Sequence, residues 1–224
     1  MKNRKYFVIL GLALILAISG FALALAAGSE SLFVEVKPQT ASKEAAPVAS
    51  SGVYGFDPAH STIGFSIRHL VINKIPGRFK DYKGTINFDS ADITKSSVEF
   101  TAKVESIDTG VQARDNHLRT ADFFEVAKYP ELSFKSTRVV KKGKTDFLAI
   151  GTFTLKGVSK ELTIPFKLNG PIKDPWGKLR IGIEANLTIN RQDYGVSWSQ
   201  KLDSGGLVVG NDVDIQLNIE AVKQ

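Results

Sequence analysis

Apolar and polar side chains alternate along the stretch from Ser61 to Val71. A period of two over about ten residues predicts a β-strand with one face in an apolar interior. The face predicted to point inward is apolar except for His69, so this strand is expected to bring one imidazole into the interior. The inward positions are Ile63, Phe65, Ile67, His69 and Val71.

Seven further segments repeat the alternation and carry polar residues on the opposite face, which is typical of antiparallel sheets. Glycine-containing links predict hairpins, and no long helical period separates the segments, which excludes a parallel sheet. The sequence therefore predicts an all-β fold of eight antiparallel strands, either an up-and-down barrel or two packed sheets, and the strand length favours the barrel. Such a barrel is filled by its own side chains or holds one small ligand. The seven segments span residues 79–88, 98–104, 132–139, 147–155, 162–168, 179–189 and 213–221.

Two stretches interrupt the strand pattern and predict one or two short helices. Within residues 108–128, apolar residues recur at helical spacing, so a short helix is expected from Asp115 to Phe124, with Asp115 near its N-cap. Residues 190–195 predict a turn or a helical coil that leads to Trp198.

The N-terminal region carries export and linker signals. Basic residues at positions 2, 4 and 5 precede an uncharged run from Tyr6 to Gly28, so residues 1–28 are interpreted as a cleaved signal peptide or a retained membrane anchor. Residues 29–52 are rich in Ala, Ser and Pro and predict a flexible linker, with the folded domain at 53–224. Both interpretations place the domain in the periplasm or another extracytoplasmic space.

Composition and charge exclude several kinds of chemistry. The chain has no cysteine, which excludes disulfides, thiolate metal sites and a cysteine nucleophile. Its formal net charge is +6, but three of these charges lie in the first five residues. The remaining Lys and Arg residues are scattered, so no nucleic-acid partner is expected.

The three histidines are the candidates for a metal site. His60 and His69 are nine positions apart, so on a continuous strand they face opposite sides, roughly 30 Å from each other. None of the close histidine spacings typical of zinc sites occurs in the sequence. Neither a metal nor another cofactor is therefore expected.

Two groups of polar residues each have two interpretations. His69 is either a core histidine paired within the protein or a contact for the head of a ligand, since an unpaired buried imidazole is costly. A polar cluster between residues 114 and 122 is either a capped helix that closes one end of the barrel or a clamp for a head group at its mouth. The cluster consists of Arg114, Asp115, His117, Arg119 and Asp122.

Several separated blocks carry a family resemblance: 57–61 (Asp-Pro-Ala-His-Ser), 77–79 (Gly-Arg-Phe), 114–119 (Arg-Asp-Asn-His-Leu-Arg), 151–158, 190–195 (Asn-Arg-Gln-Asp-Tyr-Gly) and 210–213. In this order they make the chain from Val53 to Val222 resemble the YceI-like family. The resemblance implies an extended lipocalin-like barrel whose elongated apolar cavity binds a long isoprenoid lipid. It also implies a binding protein of the bacterial periplasm rather than an enzyme.

Three functional hypotheses follow. The first is a carrier that sequesters a polyprenyl or isoprenoid quinone-like lipid in the barrel, with the membrane as a further partner if the N-terminal segment is retained. The second is a hydrolase or isomerase with His69 as base, and the third is a structural envelope protein without a ligand. Exposed barrel edges are compatible with a homodimer, although no residue indicates one. The candidate lining residues are Phe65, Ile67, His69, Phe79, Phe100, Phe134, Phe153, Ile183 and Trp198, with Arg114, Asp115 and His117 at the mouth.

Overall fold

The computed structural model describes residues 50–203 and 205–224. The segment interpreted as a signal peptide or anchor, residues 1–28, lies outside these ranges. Residues 29–49 of the predicted linker also lie outside them. Among the described residues, no helix has the length and hydrophobicity needed to cross a membrane.

The described part of the chain contains eleven β-strands, one α-helix and three short 3₁₀ turns. The 3₁₀ turns are Ile93–Lys95, Val104–Ser106 and Arg191–Tyr194, and the helix is α1, Gln112–Arg119. The strands are β1 Gly52–Phe56, β2 Thr62–His69, β3 Asn73–Phe79, β4 Tyr82–Phe88, β5 Ser97–Lys103, β6 Ile107–Asp108, β7 Glu131–Lys141, β8 Asp146–Leu155, β9 Val158–Lys173, β10 Leu179–Asn190 and β11 Val209–Lys223.

The strands close into a single antiparallel barrel. The ring runs β1, β4, β5, β7, β8, β9, β10, β11 and back to β1. β2 continues β1 along the edge of β11, and β3 pairs with β2 just as β4 pairs with β1. β1 and β2 together therefore form one interrupted barrel strand, and β3 and β4 form the next. The predicted eight-stranded up-and-down barrel is confirmed, although the sequence pattern missed β1 and placed the start of the second barrel strand at Phe79 instead of Asn73.

The alternating apolar side chains point into the barrel and form two groups of buried residues. The larger group fills much of the interior near α1. The smaller group lies at the opposite end and includes Tyr54, Phe88 and Ile181. The Tyr54 hydroxyl donates a hydrogen bond to the carbonyl of Ser50 at 2.7 Å, so the packed structure reaches back to Ser50, inside the stretch assigned to the linker.

An ion-pair network fastens the end of the barrel opposite α1. The Arg180 guanidinium bonds Asp174 at 2.7 Å and Asp57 at 2.8 Å, and it also contacts Glu220. Hydrogen bonds from His60 and then Arg180 lower the pKa of Asp57 to about 2. The network joins the loop after β1 to β10, β11 and the β9–β10 turn, so it holds the seam where the barrel closes.

The prediction that Asp115 lies near the N-cap of a helix is wrong. Helix α1 begins three residues earlier, with Val111 at its N-cap, and it ends at Arg119, before Phe123 and Phe124. The Asp115 carboxylate is buried and accepts hydrogen bonds from the backbone N–H and the hydroxyl of Thr109. The side chain therefore fastens the loop before the helix instead of capping the first turn.

Candidate ligand cavity

The barrel encloses a main cavity of about 310 Å³ at the α1 end. A smaller cavity of about 60 Å³ lies in the other half of the barrel. The same four side chains line both cavities, so they form a ring at the boundary between the two spaces. The ring residues are Ile63, Phe100, Ile164 and Leu217.

The predicted lining residues divide between the two cavities. Seven of them line the main cavity, and Phe100 borders both spaces. Phe134 and Ile183 line only the smaller cavity, because their strands carry them past the ring toward the opposite end. The residues on the wall of the main cavity are Phe65, Ile67, His69, Phe79, Phe100, Phe153 and Trp198.

The candidates at the mouth are split in the same way. Arg114 and His117 line the main cavity, whereas Asp115 does not. Arg114 donates from Nε to the Thr109 hydroxyl and from Nη2 to the Thr109 carbonyl, both at 2.7 Å. Since Thr109 also donates to Asp115, this one threonine orients the guanidinium and the carboxylate.

An aromatic cluster forms part of the wall beside α1. The rings of His117 and Trp198 meet edge to face with centroids 5.4 Å apart, and Phe123 lies 5.1 Å from each of them. His117 Nε2 lies 2.7 Å from a carboxylate oxygen of Asp122. The aromatic contacts tie α1 to the segment after the Arg191–Tyr194 turn and close this side of the barrel.

Arg191 is a cavity residue that sequence reasoning missed. It follows the last residue of β10, and its side chain is only 3% exposed. The guanidinium donates to the carbonyls of Val196 at 2.6 Å, Gly210 at 2.8 Å and Val209 at 3.3 Å. Burial lowers the pKa of Arg191. Arg191 lies in a predicted turn, where no strand or helix periodicity indicates which side chains point inward.

The polar groups of the wall lie together at the α1 end. Val209 is the register partner of His69, and its carbonyl accepts a hydrogen bond from Arg191. Beyond the Arg191–Tyr194 turn, Trp198 packs against His117 of α1. The rest of the wall is apolar. The arrangement suits an amphiphile with its polar head at the α1 end and its tail in the barrel.

A cluster of possible metal ligands lies far from this cavity, in the Arg180 network. Asp57, His60 and Glu220 bring ligand atoms within 4.8 Å of one another. The Arg180 guanidinium already bonds both carboxylates, so the cluster is accounted for by ion pairing within the protein.

Comparison with known proteins places the chain in a family. The YceI-like domain model matches residues 54–221. Protein YceI of Escherichia coli O17:K52:H18 is 39% identical over 165 residues, covering 74% of this chain and 83% of that protein. The crystal structure of Campylobacter jejuni YceI protein has a TM-score of 0.61 at 33% identity and covers 75% of this chain and 96% of that one. A polyisoprenoid binding domain from Saccharophagus degradans shares the fold, with a TM-score of 0.58 at 18% identity over 76% of this chain and 98% of that one. This chain belongs to the YceI-like family.

Proposed function

We propose that this protein binds a long isoprenoid lipid, a polyprenyl chain or an isoprenoid quinone-like amphiphile, inside its barrel and carries it. The observation that carries the proposal is the largely apolar main cavity, in which the few polar side chains all lie toward one end. A ring of four side chains separates it from a second apolar space. Family membership supports it, as does the shared fold of a domain that is described as polyisoprenoid binding.

Burial of the lipid tail supplies the binding energy. One methylene moved from water to an apolar wall is worth about 0.8 kcal/mol, so a five-carbon isoprene unit contributes on the order of 4 kcal/mol before ordering costs. The main cavity is at the lower end of the range of roughly 300–1,000 Å³ that is usual for ligand pockets. A tail of several units therefore needs the second space beyond the ring, or it extends out of the α1 end.

The chemistry of the wall favours carriage over catalysis. Within the described residues, the wall of the main cavity has no serine, aspartate or glutamate. Its one hydroxyl, on Thr109, is engaged by Arg114 and Asp115. A hydrolase that forms a covalent intermediate needs a side-chain nucleophile within reach of a base, and the wall offers His69 no free serine or threonine hydroxyl.

The place of action is part of the proposal. A basic segment followed by an apolar run at the N-terminus supports export, so we place the barrel in the periplasm. Fractionation of cells that produce the full chain tests this. Recovery with cytoplasmic proteins contradicts it, and release by carbonate washing separates a free protein from an anchored one.

Extraction of the purified protein with organic solvent, followed by mass spectrometry, tests the function directly. We expect one intact long-chain isoprenoid for each barrel. A chemically altered lipid whose formation is lost in His69→Ala supports the enzyme instead. Absence of any lipid, together with failure to bind added isoprenoids, supports the structural hypothesis and contradicts the carrier.

A pair of variants connects binding to the cavity wall. Phe153 is buried on that wall, and we expect Phe153→Asp to abolish lipid binding because a carboxylate enters the path of the tail. The control is Glu99→Ala on the outer face, where Glu99 forms an exposed ion pair with Lys135. Circular dichroism checks that both variants fold. Equal loss of binding in both variants, or in neither, contradicts the assignment.

A further inference from the structure

The β2–β3 hairpin ends in an exposed apolar tip, Leu70–Ile72. Ile72 is 81% exposed, Val71 is 53% exposed, and Leu70 is exposed as well. Among the described residues, seven large apolar side chains are exposed in this way, and three of them are consecutive here. Single exposed apolar residues are common on soluble proteins, whereas a contiguous group often marks an interaction surface.

The backbone of the tip requires a conformation that its residues disfavour. The carbonyl of His69 accepts a hydrogen bond from the N–H of Ile72 at 3.2 Å. The two residues between them, Leu70 and Val71, have φ values of 51° and 65°. A hairpin turn with positive φ at both central positions favours Asn and Gly, and a β-branched residue is an outlier there. The formation of the hairpin therefore does not explain why these positions are apolar.

Contacts with neighbouring residues hold this strained turn in place. The Leu70 N–H donates to the carbonyl of Val208 at 2.9 Å, and Arg68 Nη1 donates to the carbonyl of Val71 at 3.2 Å. A Cβ added to Gly206 would lie 3.0 Å from Cγ2 of Val71, so the 200–208 loop also packs against the tip. The tip is thus presented to solvent in one orientation.

The tip stands beside the main cavity without being part of its wall. His69, directly before the tip, and Val208, bonded to Leu70, both line the cavity. None of the three tip residues lines it. A lipid that enters or leaves through the α1 end therefore passes next to the tip.

The exposed apolar residues at the opposite end of the barrel have an ordinary explanation. Ile172 and Trp176 lie on either side of Asp174, whose carboxylate accepts hydrogen bonds from the N–H groups of Trp176 and Lys178. The positive φ in this turn, 88°, falls on Gly177. Neither Ile172 nor Trp176 lines a cavity, so this end offers no passage for a lipid.

Basic side chains flank the tip and fit the phosphate groups of a bilayer surface. Arg68 and Lys201 are exposed, and neither forms an ion pair with another described residue. Lys74 is paired with Asp214, and Asp203 is an exposed acid in the adjacent loop. The unpaired cations can lie at the level of lipid phosphates while the apolar tip enters the layer below them.

The chain before the barrel is long enough for this orientation. The described chain begins at Ser50, at the end opposite the tip. Residues 29–49 can span up to about 70 Å when extended. Strand β11, with 15 residues, is about 50 Å long. A barrel whose residues 1–28 stay in the membrane can therefore still turn its α1 end to the bilayer.

We propose that the tip Leu70–Ile72 inserts into the surface of a phospholipid bilayer and places the α1 end of the cavity against it for lipid exchange. This inference rests on the proposed lipid-binding function and adds a partner, the bilayer itself, and the surface that meets it.

A fluorescent label on the tip tests insertion directly. The chain has no cysteine, so Ile72→Cys in the full chain accepts an environment-sensitive dye at that one position. The vesicles contain phosphatidylethanolamine and phosphatidylglycerol, with a nitroxide quencher in the acyl chains. We expect the dye at position 72 to be quenched. The matched control is Ile172→Cys, at a site that is 61% exposed at the opposite end, and its dye should stay unquenched even if residues 1–28 hold the protein on the vesicle.

Unlabelled variants test the consequence for lipid exchange. Solanesol, a long polyprenyl alcohol, is followed as it moves from donor to acceptor vesicles. We expect Ile72→Ser to slow protein-mediated transfer by about fivefold or more, because less apolar surface enters the bilayer. Ile172→Ser should leave the rate unchanged. Both variants should bind solanesol in detergent solution as the wild type does, since neither side chain lines a cavity.

The outcomes separate this inference from the proposed function. No quenching at position 72, equal quenching at both positions, or equal transfer rates in the two serine variants overturns membrane docking while lipid binding stands. Self-association of the wild type that Ile72→Ser abolishes, measured by sedimentation velocity, also overturns it, because a second copy then covers the tip. Failure of the wild type to bind any isoprenoid in detergent removes the proposed function, whereas quenching at position 72 is measured without a ligand.

Discussion

The ring of Phe65 lies over Gly77 on the neighbouring strand, so close that a Cβ at position 77 would be 2.3 Å from the ring carbon Cζ. The two residues are direct register partners of β2 and β3. The missing side chain at Gly77 lets the ring lie flat against β3, where it forms part of the cavity wall instead of projecting into the space.

We therefore expect Gly77→Ala to push the Phe65 ring into the main cavity. The ring has vacant space to enter, so the loss of stability should be moderate, about 1–2 kcal/mol, while lipid binding should fall clearly. Urea denaturation and lipid titration measure the two effects. The matched control is Gly182→Ala in β10, where the nearest atom to an added Cβ is 3.5 Å away. Unchanged lipid binding by Gly77→Ala would show that Gly77 does not set the ring position.

Gly151→Ala should be more damaging than Gly77→Ala. A Cβ at position 151 would lie 2.1 Å from the backbone carbonyl oxygen of Lys135, beside the irregular pairing of β7 and β8. No side-chain rotation relieves a clash with the backbone, so we expect a loss of about 3 kcal/mol or more. The midpoint of urea unfolding measures it, and a stability equal to that of Gly77→Ala would contradict the prediction.

Filling the main cavity should block binding without unfolding the barrel. Val213 of β11 lines this cavity, and we expect Val213→Phe to change stability by less than about 1 kcal/mol while it lowers lipid affinity, because the added ring occupies vacant volume. Asn218→Phe, on the exposed face of the same strand, adds a similar ring outside the barrel and should bind lipid normally. Normal lipid affinity in Val213→Phe would mean that the tail lies elsewhere.

Stability should fall steeply in acid because of the Arg180 network. Hydrogen bonds from His60 and Arg180 hold the pKa of Asp57 at about 2, below its ordinary value of 3.8. The unfolded chain takes up this proton first, so the stabilisation is complete above about pH 4 and is lost as the pH falls toward 2. The contribution of Asp57 is on the order of 2 kcal/mol. The pKa of Asp174 is also lowered, first by its hydrogen bond from Arg180.

Measurement of the unfolding free energy at several pH values between about pH 5 and about pH 2 checks this prediction. Asp57→Asn should be less stable at neutral pH and should lose part of the acid dependence. A variant whose stability follows the same pH curve as the wild type would show that Asp57 does not contribute.

Sequence reasoning located what depends on local alternation. Successive side chains of a strand point to opposite faces, so the inward positions of Phe65, Ile67 and Phe153 could be derived from neighbours a few residues away. Where the local pattern was weak, the prediction failed. Asp115 was expected near a helix N-cap, but its carboxylate bonds Thr109, a contact that the helical spacing does not contain.

The sequence by itself thus predicted most of the strands and inward positions such as Phe65, Ile67 and Phe153, and it favoured a barrel over two packed sheets. Only the tertiary structure decided that the interior is partly vacant, that a ring of four side chains divides it, and that Phe134 and Ile183 lie beyond that ring. The tertiary structure also decided that Arg191 points into the wall, because its guanidinium donates hydrogen bonds to carbonyls of β11 and of the segment before β11. The physical reason is that vacant volume and buried charge depend on how distant strands close against one another, and a period of two along one strand carries no information about its partners.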